Sequence, residues 1–124
     1  MDKIVYKEES YNIIGKCMEV YNSLGYGFLE IVYKDALEYE FKSNEIPYKR
    51  EVQYHVNYKD IVLKHQFYAD FIVYDTIILE IKSVDSIHDE FIAQAINYLK
   101  VSHNKLAIIV NFGKSRLEFK RIVL

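Results

Sequence analysis

The chain opens with apolar positions at helical spacing. Over residues 8–24, Ile13, Ile14, Cys17, Met18, Tyr21 and Leu24 fall on one stripe, with Lys16 and Glu19 between them. Gly25-Tyr26-Gly27 supplies the backbone freedom that ends a helix. A second helix is expected over residues 28–43, with Leu29, Val32, Tyr33, Ala36, Leu37 and Phe41 inward and Lys34, Asp35, Glu38 and Lys42 facing water. The period then changes to two. Residues 51–58 alternate, Lys59-Asp60 punctuates, and a strand runs over 61–73. After a turn at Asp75-Thr76, the apolar run Ile77-Ile78-Leu79-Glu80-Ile81-Lys82 predicts a strand buried on both faces. Ser86 and Asp89 are spaced as a capping box for a third helix that turns Ile87, Phe91, Ala95, Tyr98 and Leu99 inward. Residues 106–110 read as another buried strand, and Gly113-Lys114-Ser115 leads into a last one over 117–124. The predicted order is α-α-β-β-β-α-β-β, an α/β fold with a mixed sheet flanked by helices.

Composition narrows the classes. The 124 residues fit one domain, residues 1–124, and 51% apolar with 27% charged is globular rather than disordered. Sixteen Lys plus Arg against eighteen Asp plus Glu leave a net charge of −2, which excludes a uniformly basic nucleic-acid coat protein. The charge is uneven, however. From Lys100 to Leu124 six basic residues face one acid, Glu118, so this end carries +5 and the remainder −7. One cysteine, Cys17, rules out an internal disulfide or multi-cysteine zinc site and reads as a small core residue. No apolar run is long enough to span a bilayer, and the first residues lack the apolar stretch of a signal peptide, so a cytoplasmic location is expected. His55, His65, His88 and His103 lack metal-ligand spacing, and no serine sits in a hydrolase elbow.

The chemistry lies where acids interrupt apolar strands. Asp70 sits inside one such strand, and Glu80 and Lys82 break the most apolar strand of the chain. Residues two apart on a strand share a face, so Glu80 and Lys82 project together. Buried, they are costly unless paired or bound to a metal. Carboxylate oxygens suit Mg²⁺ or Mn²⁺, and a lysine beside them can hold or deprotonate a water. That set matches metal-assisted phosphodiester hydrolysis. The spacing is equally consistent with a structural Glu80–Lys82 pair at the open end of a strand.

The order Asp70 … Glu80-Ile81-Lys82 resembles the D…(D/E)-x-K signature of the PD-(D/E)xK nuclease superfamily, and the element order resembles its restriction-endonuclease-like αβββαβ core with a helix added in front and a strand behind. Gly27-Phe28-Leu29-Glu30-Ile31-Val32-Tyr33 is similar to the pattern that names the GxxExxY family, whose members this chain also resembles in Gln94 with Tyr98 and in Asn111-Phe112-Gly113. The resemblance implies metal ligation by Asp70, Glu80 and the Ile81 carbonyl, with Glu30 completing the site. It implies that Lys82 positions the attacking water and that Gln94 and Tyr98 contact substrate or support the site. Ala69 stands where the superfamily name has proline. Purely structural roles are also open to the supporting residues: Glu30 on a helix dipole, Tyr33 and Tyr98 in the core, Gln94 at the sheet edge, and Gly27 in a turn.

The expected activity is metal-dependent cleavage of nucleic acid, DNA rather than RNA, with Mg²⁺ or Mn²⁺. Lys114, Arg116, Lys120 and Arg121 are the expected phosphate contacts. A homodimer would enlarge the small substrate surface. The alternative is a non-catalytic nucleic-acid- or protein-binding module that keeps the fold. Geometry supplies an internal condition. A two-residue loop at Asp75-Thr76 would turn Asp70 away from Glu80, whereas a three-residue turn, Tyr74-Asp75-Thr76, pairs them on one face.

Overall fold

The computed structural model describes residues 4–124. Two helices come first, α1 (Lys7–Leu24) and α2 (Glu30–Ser43), followed by strands β1 (Tyr48–Tyr58), β2 (Ile61–Val73) and β3 (Ile77–Lys82). Helix α3 (Asp89–Ser102) then crosses over to β4 (Leu106–Asn111), and β5 (Glu118–Val123) closes the order. The expected sequence of elements is thus the observed one. The strands lie in the order β1-β2-β3-β4-β5, with β3 and β4 parallel and the other neighbours antiparallel.

Helices cover both faces, which explains why β3 and β4 carry apolar residues on both sides. On one face Ile13, Cys17, Leu37 and Phe41 of α1 and α2 pack on Phe71, Leu79, Ile108 and Val110. On the other, Ala95, Tyr98 and Leu99 of α3 pack on Ile78, Ala107 and Ile109. Gly25 (φ 74) and Gly27 (φ 99) have left-handed backbone where α1 gives way to α2, and the Gly25 N–H closes α1 on the Tyr21 carbonyl at 2.8 Å.

Local expectations fail at several places for identifiable reasons. Helix α3 begins at Asp89 with His88 as its cap and no side-chain capping bond, so Ser86 and Asp89 form no capping box. Leu29 is the cap of α2 rather than part of its stripe and is 75% exposed. Lys34 does not face water: it is 9% exposed, because Glu51 of β1 and Asp70 near the end of β2 lie along that edge of α2. Strand β1 also starts earlier than the alternation suggests, at Tyr48, whose hydroxyl donates to Glu38 at 3.0 Å.

Candidate active site

The turn between β2 and β3 sets the site. Val73 pairs with Ile77, Ile72 with Ile78 and Phe71 with Leu79, leaving Tyr74-Asp75-Thr76 as a three-residue connection. Tyr74 (φ 56) and Asp75 (φ 61) both take left-handed backbone, and the Thr76 N–H returns to the Val73 carbonyl at 3.3 Å. One step further along that register stand Asp70 and Glu80, in the arrangement that brings the two acids together.

At that step the strands part and side chains continue the ladder. The Asp70 N–H donates to Glu80 Oε2 at 2.7 Å, and the Ile81 N–H donates to Asp70 Oδ2 at 2.7 Å. In a strand the N–H and C=O of one residue project to the same edge. The Ile81 carbonyl therefore points toward Asp70 as well. On the other side, the pairs Arg50–Phe71 and Val52–Ala69 set Glu51 opposite Asp70. Both strands change face here: Tyr48 and Phe71 pack toward α1 and α2, but Val52 and Ala69 pack toward α3. Glu51 absorbs the change with left-handed backbone (φ 56).

Lys34 completes the cluster from α2. Its ammonium donates to Asp70 Oδ1 at 3.0 Å and to Glu51. Burial draws its pKa down, but Glu51 and Asp70 outweigh that and the net shift is upward, so Lys34 stays charged. Glu80 behaves in the opposite sense. It is 4% exposed, and burial followed by repulsion from Asp70 pushes its pKa up to about 8, against the smaller opposing pulls of the Asp70 N–H, Lys82 and Lys34.

Glu80 and Lys82 share the α3 side of β3, as their spacing requires. The Lys82 ammonium lies 4.7 Å from the Phe91 ring centroid, a cation–π contact. Tyr98 is buried beneath, its hydroxyl donating to the Tyr68 carbonyl at 3.0 Å. Its pKa is raised by burial and then by the charges of Glu80, Asp70 and Glu51. Gln94, one turn before Tyr98, lines a shallow depression with Glu90, Phe91 and Asn97 rather than the acidic cluster.

Glu30 opens α2 one turn ahead of Lys34. It borders a depression of about 700 Å³ with Ser83, Asp85 and Gly113. Among the described residues, no three His, Cys, Asp or Glu side chains converge as a ready metal cage. The oxygen set at the strand parting is instead two carboxylates, Asp70 and Glu80, and the Ile81 carbonyl. That set fits a hard divalent cation, which binds through one or two carboxylates and fills its remaining positions with water or phosphate oxygens. A cationic group, Lys34, already sits against it.

Tyr33 and Asn111-Phe112-Gly113 are structural. The Tyr33 hydroxyl donates to the Gly25 carbonyl at 2.8 Å and accepts from the Phe28 N–H at 3.1 Å, and its ring stacks on Phe112 at 4.3 Å. Asn111 Oδ1 accepts from the N–H groups of Val84 (2.9 Å) and Gly113 (3.0 Å), while Nδ2 donates to the Val84 carbonyl (3.0 Å) and Glu118 (3.2 Å). A Cβ at Gly113 would run into the Val84 backbone. These residues clasp the segment that follows Lys82 to the start of α2.

The four expected phosphate contacts do not share one surface. Lys114 and Arg116 lie in the turn beyond Asn111, at the site end of the sheet, with Lys114 paired to Glu118 at 3.4 Å. Lys120 and Arg121 follow on β5 as adjacent residues, which point to opposite faces, and Arg121 donates to the Val5 carbonyl.

A sequence model of the PD-(D/E)XK nuclease superfamily matches residues 7–122. The chain belongs to that superfamily. Its mixed sheet flanked by helices is the fold expected of a restriction-endonuclease-like domain. No curated protein matches. A solved structure titled "Crystal structure of SSO0001" is similar, with 22% identity and a TM-score of 0.60 over 95% of this chain and 57% of that chain. At that identity the likeness speaks to the fold alone, and this chain spans little more than half of that protein's length. No helix among the described residues is long and apolar enough to cross a membrane.

Sequence reasoning missed Lys34 and Glu51. The signal for Lys34 was its place four residues after Glu30, one turn along the same helix face. For Glu51 it was the position opposite Asp70, readable only once the β1–β2 register is known.

Proposed function

We propose that this superfamily member hydrolyses phosphodiester bonds of DNA with Mg²⁺ or Mn²⁺, and that it belongs to the GxxExxY family. The observation that carries the reading is the three-residue turn, which sets Asp70 beside Glu80 where β2 and β3 part. Asp70, Glu80 and the Ile81 carbonyl would hold the cation. When bound, it supplies Lewis acidity and neutralises charge on the phosphate. Lys82, steadied over Phe91, orients the attacking water from the Glu80 side. Tyr98 packs behind Glu80 and excludes solvent. Gln94 is open to substrate at the surface of α3. Glu30 and the depression it borders receive the strand, and Lys114 and Arg116 meet its phosphates.

The rival reading, a non-catalytic binding module, draws on Lys34 being already seated on Asp70 and Glu51. Cleavage of single-stranded, double-stranded and branched DNA under Mg²⁺ and Mn²⁺ separates the two. Wild type is expected to cut at least one substrate, and Lys82→Ala to cut it roughly a hundredfold more slowly. DNA binding without cleavage under either metal would give the site to the module reading.

A further inference from the structure

Lys34 is anchored to two acids of unequal freedom. Asp70 is held on both sides: one oxygen receives the Ile81 N–H, the other the Lys34 ammonium, and the side chain is 15% exposed. Glu51 is looser, with its side chain 50% exposed and Lys34 its only ionic partner among the described residues. An ammonium placed this way can leave Asp70 and remain paired. It also cannot share Asp70 closely with a divalent cation, because like charges repel.

We infer that Lys34 is the resident counter-ion of the acidic cluster, holding Asp70 and Glu51 together in the cation-free protein and giving up Asp70, while staying on Glu51, when a divalent cation binds. The inference rests on the metal-site reading above. Lys34 is then a positioning residue that sets the cation concentration at which the site fills, and Glu51 is the acceptor that makes the exchange possible.

Calorimetric titration with Mn²⁺ alone tests this. Lys34→Met, which removes the like charge beside the site, is expected to bind Mn²⁺ roughly tenfold more tightly than wild type or better. Its melting temperature should fall without the metal and recover more with it than wild type does. Lys34→Arg, which keeps the charge, should keep the wild-type affinity. Glu51→Gln should bind several-fold more weakly, since the ammonium is left with Asp70 alone, and the double variant should return to the affinity of Lys34→Met. Equal or weaker binding by Lys34→Met overturns the inference, as does a double variant as weak as Glu51→Gln, because Glu51 would then act on the cation without Lys34. Should Lys34→Met fail to fold, Lys34→Gln, which keeps a donor without the charge, gives the same comparison. If neither wild type nor the Lys34 variants bind Mn²⁺, the metal site and the inference fall together. If wild type binds and the variants gain nothing, the inference alone falls.

Discussion

Two buried polar groups stand near the same end of the sheet, and they are built differently. Asn111 is fully buried on β4 and makes four hydrogen bonds with its side chain, each to a neutral backbone group or to Glu118. Glu80, one strand away, is almost as buried, but the charge at its side is Asp70 and its proton is held up to about pH 8. A polar group buried for architecture arrives satisfied. One buried at a cost, next to a second acid, marks chemistry.

Substitutions that change charge without changing shape break this comparison most directly. Asn111→Asp removes the donor to Val84 and sets a carboxylate beside Glu118. It is expected to cost about 3 kcal/mol or more, read as a large fall in the denaturation midpoint. Gly113→Ala, which forces a methyl against the Val84 backbone, should cost about 3 kcal/mol by loosening the same clasp. Glu80→Gln should do the reverse. The amide oxygen still accepts the Asp70 N–H, and the charge that burial penalises is gone.

The pH dependence follows from the sign of the Glu80 shift. Its folded pKa, about 8, lies above the ordinary value of 4.5. Between those values the folded state holds more protons than the unfolded, so this group's contribution to stability falls as pH rises. Metal-free wild type and Glu80→Gln should therefore melt alike near pH 4.5 and separate toward pH 9, the variant being more stable by on the order of 1 kcal/mol or more. A gap that narrows with rising pH would mean that Glu80 is ionised and well paired. At the small end, Lys114→Ala should shift stability by less than about 0.5 kcal/mol, since its pair with Glu118 is partly exposed.

Much of this was legible in the chain. The element order followed from periodicity, because the helices are amphipathic and β3 and β4 are apolar enough to need covering on both faces. The Asp70–Glu80 pairing came down to one alternative, the length of a turn, and the left-handed backbone of Tyr74 and Asp75 decided it. Lys34 and Glu51 were not legible for a common reason. A helix pattern assigns Lys34 to water because it cannot see the strand edge packed there. Strand alternation cannot foresee that both β1 and β2 change face at Glu51 and Asp70.

On the proposed function, the Asp70–Glu80 cluster is kept for catalysis at the expense of stability. Glu80→Gln tests it when cleavage of DNA under Mn²⁺ and thermal stability at pH 8 are measured on the same preparation. The variant is expected to melt higher than wild type and to cut at least a hundredfold more slowly. A variant that keeps wild-type cleavage, or that loses stability together with activity, would contradict it.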